Sequence, residues 1–248
     1  MRWPGSSRYR RSLGHAAGCV RALGVRTMII YEGPSVLDGE PIVAIATGLQ
    51  RPSQNRKTGD MVQAWIMRAD IAPVAAVRAG ADGSVCGDCK HRGTSCYVNL
   101  GQAPQNIWHA YQRGSYSHAP DWAVFSGRSL RMSAYGDPAA LPFDLVAGIL
   151  DKAGTRTGYT HQWRREPRLA AYLMASVDTP AERIQARMLG FRTFRVRHGG
   201  DPHMAGELEC LADSAGLTCE SCRLCSGQAR PGKRDITIQV HGARKGNF

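Results

Sequence analysis

Seven of the eight cysteines in this 248-residue sequence fall into two groups that metal chemistry could use. The first group, cluster 1, is Cys86-x2-Cys89-x6-Cys96, and the second, cluster 2, is Cys210-x8-Cys219-x2-Cys222-x2-Cys225. A Cys-x2-Cys step lets two thiolates turn toward one metal, because the backbone between them forms a tight turn whose N–H groups point at sulfur. Cys19 stands alone and is set aside as incidental. We expect the seven clustered cysteines to bind metal.

Cluster 2 contains two Cys-x2-Cys steps in series, which place three thiolates around one centre. The run Cys219, Cys222 and Cys225 is typical of [4Fe–4S] ligation with a remote fourth cysteine. Cys210 could be that fourth ligand. Zinc sites more often use two separated pairs of ligands. Cluster 2 therefore favours iron–sulfur, with zinc as the alternative.

Cluster 1 has three cysteines and leaves two interpretations open. Cys86, Cys89, His91 and Cys96 could close a tetrahedral zinc site, which would be structural. Alternatively, the three thiolates bind three irons of a [4Fe–4S] cluster and leave the fourth iron open to a substrate or to S-adenosylmethionine, which is a catalytic arrangement. His91 lies in a polar loop, so it could also be an ordinary exposed histidine.

Strand and helix patterns alternate around these clusters. The predicted strands are Ile42–Leu49, Val62–Ala69, Leu130–Tyr135, Thr157–His161, Phe191–Val196 and Ile236–Val240, with a further apolar segment at Leu169–Val177. The predicted helices are Ile71–Ala79, Gln105–Gln112, Phe143–Ala153 and Ala181–Leu189, the last begun by Asp178-Thr179-Pro180. The polar loop 51–60 is expected to be a hairpin turn or a mobile lid. Repeated βα units predict an α/β fold, either a partial (β/α) barrel or a mostly parallel sheet with cysteine-rich metal-binding loops.

Three of the predicted strands end in polar residues. In α/β folds the reacting groups lie where strands end and loops begin. The candidate pocket residues at these ends are Ser133, Gly136, Asp137, Thr160, His161, Ser176 and Asp178. A plain turn or helix cap is the competing interpretation at each end.

The amino-acid composition limits the classes of protein to which this chain can belong. Hydrophobic residues make up 43% and charged residues 21%, which suits a packed domain, and no apolar run is long enough to span a bilayer. The net charge of +12 suits an anionic partner such as nucleic acid, although residues 1–27 alone carry six arginines and no acid. We expect 1–27 to be disordered or foreign to the native chain, with Met28 as the natural start, and 28–248 to form one α/β domain. Without a signal peptide the expected location is the cytoplasm, where clustered cysteines are metal ligands rather than disulfides.

Several short motifs resemble a family of phage proteins of unknown function, the "gene product 88" group, over most of residues 28–245. They are Lys57-Thr58-Gly59, Cys86-x2-Cys89 with Cys96-Tyr97, Arg131-x-Ser133-x2-Gly136-Asp137, Cys219-x2-Cys222-x2-Cys225 and Ile238-x2-His241-Gly242-Ala243. The resemblance implies a phage protein acting in the host cytoplasm. That family is loosely similar to radical S-adenosylmethionine enzymes.

The looser similarity implies specific roles. Radical enzymes are partial βα barrels with an early three-cysteine loop and a Gly-rich acidic strand end that holds the methionine part of the cofactor. Here the counterparts are cluster 1 and Gly136-Asp137-Pro138, although the usual loop is Cys-x3-Cys-x2-Cys. The implied catalytic residues are Asp137, His161 and Asp178, and the implied cofactor-binding residues are Ser133, Gly136, Asp137, Thr160 and Ser176. Cluster 2 would hold an auxiliary cluster, and an electron donor would be a partner.

The alternative from a different class is a zinc-stabilised nucleic-acid-binding protein without catalysis. Trp163 and Tyr111 would stack on bases. The arginines that would meet phosphates are Arg164, Arg165, Arg168, Arg192, Arg195 and Arg197. A serine hydrolase has little support, because there is no Gly-x-Ser-x-Gly elbow.

Overall fold

The computed structural model describes residues 27–50, 53, 55–118, 122–228 and 234–248. The expectation for the basic N-terminal segment therefore falls outside the described residues, apart from Thr27. Three residues of the predicted lid, 51, 52 and 54, also fall outside. None of the helices in the described ranges combines the length and the apolar character that a membrane span requires.

Eleven strands and seven helices form the described chain. The strands are β1 (Thr27–Pro34), β2 (Pro41–Thr47), β3 (Val62–Arg68), β4 (Ser117–His118), β5 (Ser129–Tyr135), β6 (Thr155–Thr157), β7 (Tyr159–Thr160), β8 (Met174–Val177), β9 (Thr193–Arg197), β10 (Glu207–Glu209) and β11 (Asp235–Gln239). The helices are α1 (Pro73–Arg78), α2 (Gly83–Cys86), α3 (Ala103–Gln112), α4 (Phe143–Lys152), α5 (Pro180–Met188), α6 (Leu211–Ser214) and α7 (Cys219–Cys222).

The strands form two sheets. One has the order β4-β1-β2-β3-β5-β6, and the other has the order β10-β11-β9-β8-β7. Only the pairings β1–β2 and β2–β3 are antiparallel among the strands of the described chain. The prediction of an α/β fold with a mostly parallel sheet is therefore confirmed, and the strands of the described ranges do not close into a barrel.

The pattern of burial explains why these segments pair. Every residue of β3 is buried, as is expected of a central strand covered on both faces. Helix α5 begins as predicted, because Thr179 and Glu182 form a capping box and Pro180 occupies the first turn. The confirmed strands β2, β3, β5, β9 and β11 match their predicted ranges to within about two residues, which is the usual scatter of strand ends.

The chain passes from one sheet to the other at Gly158. The predicted single strand Thr157–His161 is therefore wrong in one respect, since β6 ends at Thr157 and β7 begins at Tyr159 in the second sheet. A Cβ at Gly158 would lie 2.7 Å from Leu173 Cδ2. The Ser133 hydroxyl in β5 donates to the Tyr159 carbonyl (3.4 Å) and accepts from the Tyr159 amide (3.3 Å), so the two sheets stay in register across the junction.

The apolar segment Leu169–Val177 is also two elements. A 3-10 helix covers Pro167–Ala171, and the strand β8 begins only at Met174. Strands β1 and β10 and the short helices were not predicted. β10 and the four-residue helices are too short for hydrophobic periodicity to reveal, whereas β1 has eight residues and was long enough to be predicted.

Candidate metal centres around one cavity

A cavity of about 340 Å³ brings the two cysteine clusters together. Both clusters contribute side chains to its wall. The lining cysteines are Cys86, Cys89, Cys96, Cys210 and Cys219. Five of the predicted pocket residues also line it, namely Ser133, Gly136, Asp137, His161 and Ser176. Thr160, Asp178, Cys222 and Cys225 do not reach its wall.

Cluster 1 sits in a loop that local turns hold in place. Helix α2 ends at Cys86, and Gly87 follows with φ of 59°, a conformation that favours glycine. The Cys89 amide donates to the Cys86 carbonyl at 3.3 Å, and the Cys96 amide donates to the His91 carbonyl at 3.0 Å. The backbone N–H of His91 points at the Cys89 sulfur. This is the arrangement of amides around sulfur that the Cys-x2-Cys spacing predicts.

Burial dominates the electrostatics of cluster 1. Burial, with the neighbouring Cys96, raises the pKa of the Cys89 thiol to about 12, although the hydrogen bond from the His91 amide lowers it. Burial also raises the pKa of Cys86 well above its ordinary value, with Cys89 adding to the effect. All seven clustered cysteines are free of disulfides. The three thiols of cluster 1 therefore need a positive centre before all three can ionise together.

His91 faces away from the cysteines of its own loop. Its Nδ1 lies 2.7 Å from the Ser95 hydroxyl, and its Nε2 lies 3.0 Å from Asp178 Oδ1. The Phe248 ring stacks on it with a centroid distance of 5.4 Å. A closed zinc site at cluster 1 would require His91 to give up one of its two hydrogen bonds.

Cluster 2 lies between β11 and the loop that joins β2 to β3. The Cys210 amide donates to the Thr237 carbonyl at 2.8 Å, and the amides of Ala212 and Asp213 point at the Cys210 sulfur. Cys225 is buried among apolar side chains and accepts a hydrogen bond from the Tyr159 hydroxyl. Burial raises the pKa of Cys225 to about 12.

The described part of loop 51–60 is held against cluster 2. The Cys219 amide donates to the Lys57 carbonyl at 2.8 Å, and the Glu220 amide donates to the Thr58 carbonyl at 3.1 Å. Glu220 Oε2 accepts from the Asp60 amide at 2.9 Å. The prediction of a hairpin between β2 and β3 is confirmed, and residues 57–60 dock on α7.

The sulfur atoms of the described cysteines form no compact group of three. In neither cluster do three sulfurs all lie within 4.8 Å of one another, among the seven described cysteines. The one set of ligand atoms in the described ranges that is so compact belongs to His91, His161 and Asp178.

Comparison with known proteins assigns no family. No protein-family model, no curated protein and no solved structure matches the chain. The phage-family resemblance therefore remains a prediction, and the site is interpreted from its own residues.

Asp137 is at the centre of a buried hydrogen-bond network. Its carboxylate accepts from the Thr160 hydroxyl (2.8 Å), the His161 amide (2.7 Å) and the Ala139 amide (3.0 Å). Burial raises the pKa of Asp137 to about 6, although these hydrogen bonds lower it. Thr160 is fully buried and serves this network rather than the cavity. Asp137 thus joins the ends of β5 and β7 besides lining the cavity.

His161 and Asp178 lie next to each other at the ends of β7 and β8. His161 Nε2 is buried and has no hydrogen-bond partner among the described residues. Burial lowers the pKa of His161 to about 4, so its ring is neutral at neutral pH. Burial raises the pKa of Asp178, but the hydrogen bond from His91 and the nearby positive groups outweigh burial and hold it below its ordinary value.

Other cavity residues were not predicted as site residues. Arg131 lies in β5, donates to the Tyr97 hydroxyl at 2.5 Å and has an Nε that is buried without a partner. Tyr159 and Phe248 also line the wall. One signal was available, because Arg131, Ser133 and Tyr135 alternate along β5 and so face one side of the sheet.

The predicted nucleic-acid surface is wrong for half of its arginines. Arg192, Arg195 and Arg197 are at most 6% exposed, so they cannot meet phosphates. Arg195 pairs with Glu207, and Arg197 pairs with Glu209. The remaining predicted arginines, Arg164, Arg165 and Arg168, are exposed.

The predicted aromatic stacking groups are also engaged elsewhere. Trp163 is 1% exposed and donates to the Ser176 carbonyl at 3.1 Å, so it cannot stack on a base. The Tyr111 hydroxyl donates to Glu32 at 2.6 Å.

Proposed function

We propose that the chain is an iron–sulfur enzyme of the radical S-adenosylmethionine type, with its catalytic cluster on Cys86, Cys89 and Cys96. One observation carries the proposal: three free thiols of one short loop line a cavity, while the nearest histidine is committed to Ser95 and Asp178. Cys86, Cys89 and Cys96 would hold three irons of a [4Fe–4S] cluster, and the fourth iron would be available to bind a substrate or S-adenosylmethionine.

The order of the strands supports this proposal. The parallel strands β3, β5, β6, β7, β8, β9 and β11 are spatial neighbours in the order of the sequence, with the sheet break at Gly158. Counting β6 and β7 as one strand gives six parallel strands in sequence order, divided between two sheets. Cluster 1 follows the first of these strands, and Gly136-Asp137 follows the second. This is the placement that the resemblance to radical enzymes implies.

The residues around cluster 1 have distinct tasks in this proposal. When bound at the open iron, S-adenosylmethionine supplies radical chemistry driven by one electron from an external donor. Gly136 lines the cavity with φ of 81°, and a Cβ there would lie 2.6 Å from the Ile66 carbonyl oxygen, so glycine lets the end of β5 pack closely on β3. Asp137 holds the ends of β5 and β7 in position. Arg131 provides a positive charge between the two clusters for an anionic part of the substrate.

Cluster 2 takes an auxiliary role. Its four cysteines form a complete ligand set, so no iron is left open for substrate. Cys210 and Cys219 line the same cavity as cluster 1, which would place both iron–sulfur centres next to one substrate. The cavity volume suits a small metabolite or a single nucleotide rather than a duplex.

Metal and sulfide analysis of anaerobically purified protein tests the proposal. We expect a brown protein with roughly eight iron and eight sulfide per chain, bleached by dithionite. The reduced protein should cleave S-adenosylmethionine, and the Cys89→Ser variant should not. A colourless protein with about two zinc and no sulfide would overturn the proposal in favour of closed structural sites.

A further inference from the structure

Three side chains outside both cysteine clusters converge at the edge of the cavity. His91 comes from the cluster 1 loop, His161 follows β7, and Asp178 follows β8. One ligand atom from each lies within 4.8 Å of the other two. His91 and His161 also line the cavity.

The contacts of this group resemble those of a prepared metal site. His91 Nδ1 lies 2.7 Å from the Ser95 hydroxyl, and such a second contact orients a ligating imidazole and directs its other nitrogen at the metal. His91 Nε2 and Asp178 Oδ1 are 3.0 Å apart. Neighbouring ligands of an octahedral ion with bonds of about 2.1 Å lie roughly 3.0 Å apart, so the pair has the separation that one ion requires.

The position of His161 is not explained by the hydrogen bond between His91 and Asp178. A hydrogen bond between His91 and Asp178 needs no third member. Yet His161 Nε2 is buried beside them without any partner in the described ranges. A buried ring nitrogen in that state costs free energy unless something binds it.

We propose that His91, His161 and Asp178 bind one divalent first-row metal ion, separate from the cysteine clusters. Two imidazoles and one carboxylate are the ligand set that leaves coordination positions open on such ions. The open positions face the cavity, where a water molecule or a substrate oxygen binds. Lys90 contacts the other oxygen of Asp178 (Oδ2, 3.4 Å) and is half exposed, so it neutralises the carboxylate without occupying the ion's place.

Cobalt is a suitable probe because bound cobalt can be measured separately from iron in the clusters. The full-length protein, with its clusters, is dialysed against Co²⁺, and bound cobalt is counted by elemental analysis. We expect one cobalt per chain. His161→Asn and Asp178→Asn should each weaken its binding at least tenfold. X-ray absorption at the cobalt edge should show nitrogen and oxygen neighbours and no sulfur.

His198→Asn is the matched control, because His198 contacts the same Phe248 ring but belongs to no ligand group. It should bind cobalt as the wild type does. His161→Asn removes no existing hydrogen bond of the Nε2 atom, so this variant is expected to fold even where Asp178→Asn is destabilised. Unchanged affinity in folded His161→Asn, or sulfur neighbours around cobalt, would overturn the inference. The effect of His161→Asn on cobalt affinity does not depend on whether the clusters contain iron or zinc.

Discussion

Clusters 1 and 2 use the same ligand chemistry but are built into the fold differently. Cluster 1 lies on one loop after β3 and has ionisable neighbours, His91 and Asp178. Cluster 2 is enclosed by structure from elsewhere in the chain, namely β11 and residues 57–60, and its Cys225 is buried among apolar side chains. The catalytic role proposed for cluster 1 and the supporting role proposed for cluster 2 therefore rest on the surroundings of the cysteines more than on their spacing.

Single serine substitutions give the largest expected effects and test this difference directly. Cys89→Ser should abolish S-adenosylmethionine cleavage and reduce iron by about half. It should change the melting temperature little, because hydrogen bonds with Asp137, Gln162 and Asp178 hold the loop of cluster 1 without the metal. Cys222→Ser should also halve the iron, but should lower the melting temperature strongly, since α7 then loses the centre that holds it against residues 57–60.

Iron content, melting temperature and cleavage rate are measured on the same preparations. If both variants lose stability equally, cluster 2 is not the supporting centre. If Cys222→Ser alone abolishes cleavage in folded protein, the roles assigned to the two clusters are reversed.

A buried ion pair beside cluster 2 gives the next largest effect. Burial alone raises the pKa of Glu207, but hydrogen bonds from Arg195 and the Met204 amide, with the charge of Arg195, hold it below its ordinary value. Glu207→Gln leaves Arg195 buried without its partner, which should cost about 3–5 kcal/mol at pH 7.

The pH dependence follows from the direction of that pKa shift. A depressed carboxyl pKa stabilises the fold at pH above the unfolded value, near 4.3, and this contribution is lost as pH falls through the folded value. The stability difference between wild type and Glu207→Gln should therefore shrink below about pH 4. Thermal melts from acidic to neutral pH measure it, and a difference that stays constant would contradict the assignment.

One glycine beside each cluster allows the backbone requirements of the two clusters to be compared. Gly87 in cluster 1 and Gly59 beside cluster 2 have φ of 59° and 70°, and a Cβ would lie 2.4 Å from Gln162 or 2.7 Å from Glu220. Alanine at either position should lower the free energy of unfolding by about 1–2 kcal/mol because of the backbone conformation. The close contact of the new Cβ should lower it further.

Gly39→Ala is the control, because Gly39 has φ of 83° with open space around it. The free energy of unfolding of Gly39→Ala should fall only by the amount that the backbone conformation costs. We expect Gly87→Ala to speed iron loss from cluster 1 only, and Gly59→Ala from cluster 2 only, as followed by chelator-induced bleaching. Bleaching as slow as that of Gly39→Ala would mean that these close contacts do not hold the clusters.

Long periodic elements could be predicted from the sequence, and changes of direction could not. β3 and α5 have clear hydrophobic patterns and caps, so their prediction is confirmed. The segment around Gly158 has the same alternation on both sides, and only packing against Leu173 shows that two sheets meet there. Arginines 195 and 197 look like a basic surface in sequence because their acidic partners lie on β10, a strand of three residues.

The sequence identifies the two groups of cysteines but not how the groups come together. Cysteine spacing identifies both clusters, but their meeting at one cavity depends on residues 57–60 and the segment 210–225 packing across the second sheet. The contact of His91 with Asp178 joins residues that are 87 positions apart, and no local pattern indicates it.

The docking of residues 57–60 on α7 has a consequence for synthesis. Cluster 1 is complete in the chain once Cys96 has been made. The Asp60 amide finds Glu220 only after a further 160 positions. If both clusters bind metal as proposed, a ribosome-bound chain can receive its first inorganic centre early, while the second must wait until nearly the whole polypeptide has emerged.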